Sequence, residues 1–227
     1  DLAVFDLPCV FDSLDECREK IDNPEFYELI SNVYTEGGYH LLGMADQGFR
    51  VMSTNKPVYS FSDFKGQKIR TMENQVHIAF WKAMGADATP MSWGEAYTAL
   101  QQGALDGQEN PATVILTNNV AQVNNHLAMT EHAYSTVFLV MSPETWASFD
   151  DETKETFKRV MAECSIEERE ISRKMDSEAV AELEKQGMTV TYPDKQQFID
   201  KAADLYAQWE EQYGDMISEI RALSVNK

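Results

Sequence analysis

From Asp150 to Gln186 the chain carries one unbroken helical pattern. Asp150 reads as an N-cap, Asp151 and Glu152 suit the positive first turn, and Gly187 supplies the left-handed stop. Phe157, Met161, Cys164, Ile171, Met175 and Leu183 mark an apolar stripe, read as packing. At 1.5 Å per residue the helix is on the order of 50 Å long, longer than one small lobe is wide. A helix of that length could brace two lobes at once.

The remaining segments alternate. Asp22-Asn-Pro24 punctuates before a helix from Glu25 to Tyr34, and Gly37-Gly38 stops it ahead of a strand at Tyr39–Gly43. Strands follow at Phe49–Thr54 and Gln67–Thr71, with a short helical start at Ser62-Asp-Phe64. Val76, Phe80 and Met84 recur at helical spacing from Asn74 until Gly85. Thr136–Met141 reads as a buried strand. Met188–Tyr192 is a strand stopped by Pro193, followed by a helix carrying Phe198, Ala202, Leu205 and Trp209 and a last short helix around Ile217 to Leu223. Strands and helices that alternate in this way make an α/β fold.

At 227 residues and 43% hydrophobic content, the chain has material for one large or two small domains. Its net charge of −19 argues against nucleic acid and anionic membrane faces, whose phosphates call for a basic surface. A small anionic ligand stays open, because screening leaves a pocket to its nearest one or two arginines. No run approaches the roughly eighteen apolar residues that insert directly into a bilayer. Cys9, Cys17 and Cys164 form no CxxC; they read as buried or inert thiols, with a Cys9–Cys17 bridge left open. GxSxG, GxGxxG, the P-loop and HExxH are all absent, so no catalytic centre or cofactor cradle is indicated.

What stands out chemically is a block running from Gly66-Gln-Lys-Ile-Arg70 through Gly85-Ala-Asp-Ala-Thr-Pro-Met91 to Asp106-Gly-Gln-Glu-Asn-Pro111. It sets an arginine at the end of one short strand and an amide-bearing turn after the next, parts that hold a carboxylate. Together with Glu95-Ala-Tyr97, Ala99-Leu-Gln101, Leu7-Pro8, Asp63-Phe-Lys-Gly66, Thr130-Glu-His132 and Ser142, the order and spacing resemble the dicarboxylate-binding (DctP-type) receptors of TRAP transporters, end to end.

That resemblance implies a two-lobed periplasmic binding protein fold, type II-like, with a long helix crossing both lobes. Residues 1–47 and 136–175 would form the first lobe, and 48–135 and 176–227 the second, with the end of the bridging helix and the C-terminal helices. Family members carry strand–helix–strand units ahead of the position of Leu7-Pro8, so the first lobe is expected to be incomplete. The implied activity is capture of an organic acid in the cleft and delivery to the TRAP permease, in the periplasm, or tethered outside the membrane in a Gram-positive source. A sensor passing occupancy to a signalling protein is the alternative.

Carried onto this sequence, Arg70 looks like the arginine that pairs with the ligand carboxylate, since a guanidinium fork gives two parallel hydrogen bonds. Asn110 is similar to the family's carboxylate-facing asparagine. Arg50 sits where relatives place a second arginine, either touching ligand or forming an ion pair behind it. Glu73 and Asn74 are expected to face the cleft, and a carboxylate at Glu73 favours a hydroxylated acid such as a sugar acid. Trp93 resembles an aromatic wall, and His132 a residue behind the arginine–asparagine pair. His77, four after Glu73, reads as a core or cleft histidine; two residues without a third make a poor metal site.

Overall fold

A computed structural model of the chain describes residues 6–8 and 13–222. Helices α1 (Leu14–Ile21) and α2 (Pro24–Glu36) lead into the long strand β1 (His40–Thr54). Then come β2 (Lys68–Thr71), α3 (Gln75–Ala83), β3 (Asp87–Pro90), α4 (Trp93–Gln101), β4 (Gly107–Pro111) and α5 (Ala112–Thr117). A second long strand, β5 (His126–Met141), precedes α6 (Pro143–Ala147), α7 (Asp151–Lys185), β6 (Thr189–Thr191), α8 (Lys195–Lys201) and α9 (Ala203–Ala222). Local chemistry accounts for the helix starts: Asn23, Asn74, Asp150 and Asp194 each turn a side-chain oxygen onto the free N–H groups of the first turn.

The strands form one sheet in the order β3-β2-β4-β1-β5-β6. β2 runs parallel to β3 and β4, β1 is antiparallel to β4 and β5, and β6 is parallel to β5. Alternation along the strands divides the core between two faces. Met52, Ile69 and Ala128 join Phe80, Trp81, Phe198 and the N-terminal helices on one side; Val51 and Leu127 join Ile115, Val120, Ala179 and Leu183 on the other.

Several expectations change. The strands expected at Tyr39–Gly43 and Phe49–Thr54 are one strand, because β5, which begins ten residues before Thr136, pairs along its whole length. The register shifts between Leu41 and Gly43 and between Asp46 and Phe49 absorb the glycines as bulges. The C-terminal helix breaks at Ala202 and then runs on as α9 through Ala222, with Trp209, Ile217 and Ile220 buried. Cys17 is a buried free thiol and burial pushes its pKa up, but Cys164 is exposed; Cys9 lies outside the described residues.

Helix α7 keeps the expected bounds, yet the face it buries differs from the apolar stripe. Ile171 and Met175 are exposed, whereas Ser165, Arg169 and Ser172 are buried against β1. The reason lies in the sheet: β4 covers β1 only from Arg50 to Thr54, so the earlier edge has backbone groups to satisfy. Arg169 Nη1 donates to Met44 O at 2.6 Å, Ser172 Oγ donates to Asp46 O at 2.7 Å, and Asp46 N donates to Glu168 Oε2 at 3.1 Å.

At the second bulge Gly48 takes φ +80, and a Cβ there would meet Asp176 Oδ1 at 2.8 Å. Asp176 is 3.6 Å from Arg18 Nη2, and Arg18 Nε is 3.8 Å from the fully buried Asp46. Burial pushes the Asp176 carboxyl up to about 6; Arg18 opposes the shift, and Asp46 and Glu131 add to it. A carboxyl raised in the folded state favours folding when protonated, so its contribution is best below about pH 4 and is lost as the pH climbs to about 6. Asp176→Asn is therefore expected to stabilise the protein by about 1–3 kcal/mol at pH 7 and to change little at pH 4. Urea unfolding at the two pH values checks this; an equal change at both would contradict it.

Candidate functional site

Strands β2, β3 and β4 run parallel and end side by side, and α3, α4 and α5 begin within a few residues of those ends. In open α/β sheets, ligands settle at the carboxyl ends of the strands, where helix N-termini present free N–H groups. Arg70 lies on β2 at this place, 5% exposed. Its Nε donates to Met91 O at 2.9 Å, and its guanidinium carbon stands 5.5 Å from the centre of the Trp93 ring. Nη1 and Nη2 have no acceptor among the described residues. Burial draws the Arg70 pKa below the ordinary arginine value, Arg50 adds to this, and Glu109 and Glu73 oppose it.

Gln108-Glu-Asn-Pro111 is not the expected turn but the fully buried strand β4. Gln108 pairs with Arg70 in the parallel register, so Asn110, two residues on, shares the Arg70 side of the sheet. The Asn110 amide sits in a relay: Oδ1 accepts from Arg50 Nη2 at 3.0 Å, and Nδ2 donates to Gln108 Oε1 at 2.6 Å. Gln108 Nε2 in turn donates to Ser53 Oγ at 2.8 Å. One Asn110 N–H has no acceptor among the described residues.

Glu109, which no sequence expectation singled out, is the hub behind these groups. It is 0% exposed. Arg50 grips it with Nε to Oε2 at 2.5 Å and Nη2 to Oε1 at 3.1 Å, and Nη2 also reaches Glu109 O at 2.8 Å. His132 Nε2 lies 3.1 Å from Oε2, while Thr130 Oγ1 meets His132 Nδ1 at 2.9 Å. A carboxylate only accepts, so the neutral ring carries its proton on Nε2. Burial alone would raise the Glu109 carboxyl; Arg50, His132 and His77 outweigh it and hold it well below the usual range. Burial, under the rings of Phe80 and Trp81, lowers His132 to about 4 against the pull of Glu109. A signal for Glu109 existed in the acidic residue between two amides in a segment already chosen for its chemistry.

The other expected residues fall into place unevenly. Arg50 is 4% exposed and committed to Glu109 and Asn110. Asn74 caps α3, accepting from Val76 N at 2.9 Å, and its Nδ2 donates to Asp6 at 2.8 Å. Glu73 is exposed on the loop between β2 and α3. His77 is buried, 3.6 Å from Glu109 Oε1 and 3.9 Å from Asp6 Oδ1. Trp93 is half-buried at the start of α4. Arg70 and Trp93 thus meet at the strand ends and Asn110 lies on the same side of the sheet, with Arg50, Glu109, His132 and His77 grouped behind. Two hollows lie apart from this charge: about 620 Å³ between α2, the start of β1 and α7, and about 450 Å³ between α5 and α7.

Known proteins resemble this chain over nearly its whole length. A solute-binding protein of Verminephrobacter eiseniae is 37% identical over 225 residues, 98% of this chain and 67% of that protein. A TRAP periplasmic solute-binding protein from Pseudomonas putida F1, solved with bound D-glucuronate, superposes with a TM-score of 0.93 at 32% identity, covering 99% of this chain and 74% of that one. Its counterpart from Polaromonas sp. JS666, bound to D-erythronate, gives a TM-score of 0.91 at 32% identity, with 97% and 74% covered. This chain thus spans about two thirds of the curated relative and about three quarters of the solved chains. The family description "bacterial extracellular solute-binding protein, family 7" matches residues 1–212, and the chain belongs to that family.

Proposed function

We propose that this protein is an extracytoplasmic solute receptor that captures an organic acid and hands it to a TRAP permease. The observation that carries the reading is Arg70, a nearly buried guanidinium whose two terminal nitrogens have no acceptor among the described residues, at the carboxyl ends of three parallel strands. Arg70 is assigned the ligand carboxylate, Asn110 its remaining N–H, and Trp93 one wall. Arg50, Glu109, His132 and His77 act from behind, and Glu73 and Asn74 edge the opening. No catalytic step is assigned, since the site offers fixed donors and no activated nucleophile.

Charge favours a single carboxylate on the ligand. Arg50 is neutralised by Glu109 and His132 is held neutral, so of the two guanidiniums it is Arg70 that has no ion-pair partner among the described residues. The relatives that hold D-glucuronate and D-erythronate, both hydroxylated monocarboxylates, support a sugar acid. The register shift between Asp46 and Phe49, which pair with Thr136 and Tyr134, supports a reading in which residues 1–47 and 136–175 form one lobe and 48–135 and 176–227 the other. Ligand bridging two lobes that meet there would favour the closed state, the form a permease partner reads. The place of action is the periplasm, or the outer side of the membrane when tethered in a Gram-positive source; no described helix is long and apolar enough to cross a membrane.

Thermal unfolding against millimolar organic acids, sugar acids and neutral sugars tests the reading. A ligand at a thousand times its Kd adds about 4 kcal/mol, a shift of several degrees. Stabilisation by hydroxylated monocarboxylates alone is expected; a response to neutral sugars alone would overturn it. Arg70→Ala is expected to weaken binding of the best acid by about 2–5 kcal/mol by calorimetry, and Arg70→Lys to recover only part, having lost the fork. A loss below about threefold, under 0.7 kcal/mol, would place Arg70 outside the site. Glu73→Gln is expected to narrow the preference for hydroxy acids over their deoxy analogues, and an unchanged ranking would remove Glu73 from the ligand's surroundings.

A further inference from the structure

Trp93 is held from two sides. The Arg70 guanidinium lies against its ring, 5.5 Å from the centroid, and its indole Nε1–H donates to Asn118 Oδ1 at 3.2 Å. One turn further along α4, the Tyr97 hydroxyl donates to Gln122 Oε1 at 3.4 Å. Residues four apart on a helix stand one above the other, so α4 presents two aromatic donors on one face. Their acceptors, Asn118 and Gln122, are also four apart, on the segment that leaves α5. Asn118 is itself fixed as the C-cap of that helix, with Nδ2 donating to Val114 O at 2.9 Å. The next residue, Asn119, takes the left-handed φ of 55°, which turns the chain into the 3-10 turn Val120–Gln122.

Asn118 bears on the strand ends through Trp93, which lies against Arg70. A half-buried indole has an apolar body and one N–H, and where that N–H finds its acceptor sets how the ring is turned. We propose that Asn118 is a positioning residue that holds the Trp93 indole flat beside Arg70, so that the guanidinium and the aromatic wall meet ligand as one surface. Asn118 itself touches no ligand. Its effect on binding rests on the receptor reading above, but its effect on Trp93 does not.

The experiment has two arms. In the ligand-free protein, the Trp93 part of the fluorescence is obtained as the difference between wild type and Trp93→Phe. Asn118→Ala is expected to shift that component to the red and to raise its quenching by acrylamide; an unchanged component would overturn the proposal. In the second arm D-glucuronate is titrated by calorimetry. Asn118→Ala is expected to weaken binding about two- to tenfold, the range for one neutral hydrogen bond. In a Trp93→Phe background, which lacks the N–H, the same change should add less than about 1.5-fold. Equal losses in both backgrounds would show Asn118 acting through the fold at large and sink the proposal. Absence of acid binding by the wild type would instead count against the sugar-acid reading, and the fluorescence arm would still decide the role of Asn118.

Discussion

The buried pair of Arg50 and Glu109 is what the end of the sheet is built on. A carboxylate fully removed from water carries a penalty of several kcal/mol, offset only when its oxygens are well bonded. Glu109 meets that condition from two strands at once, Arg50 on β1 and His132 on β5, while His77 on α3 stands 3.6 Å away. Because the groups come from neighbouring strands, their bonds hold β1, β4 and β5 in one register. Removing one partner would leave a buried charge unpaired, which is commonly worse than having neither. The Asn110 amide, accepting from the same Arg50 nitrogen that grips Glu109, is aligned as a by-product.

The same economy of polar groups governs the long helix. A strand edge with free carbonyls needs donors, and α7 brings Arg169 and Ser172 to it where a purely apolar helix would leave them orphaned. Beyond the bulge β4 takes over that edge of β1, and α7 changes character, burying Ala179 and Leu183 in the second core. The helix therefore reads as two packing surfaces in series, polar then apolar, matched to one strand that is bare and then paired.

These matches explain what was legible in the sequence. The bounds of α7 were visible because Asp150 and Gly187 act locally, through a cap and a left-handed stop. The α/β alternation and the Arg70–Asn110 block were equally plain. The continuity of β1 was hidden, because Gly43 and Gly48 look like breaks unless the partner strand that tolerates the bulges is known. The buried face of α7 was misjudged because an apolar stripe cannot reveal a neighbour's unpaired carbonyls. Glu109 disappeared among 38 acidic residues, since its importance depends on an arginine 59 positions earlier. Asn118 was invisible for the same reason, its partner Trp93 lying 25 positions back.

Two arginines so close together pose a question of division of labour, and Glu109 answers it. If both guanidiniums were free, a dianion would be the natural guest. Arg50 instead commits Nε and Nη2 to Glu109 and Asn110, while among the described residues Arg70 gives only Nε, to the Met91 carbonyl. The forked ends of the two side chains are therefore unequal, with Arg70 alone keeping both terminal nitrogens for a planar acceptor. Trp93 closes one side of that fork and lowers its access to water, where each hydrogen bond to a carboxylate counts for more. On the proposed reading, selectivity for one carboxylate follows from a negative charge the ligand never touches.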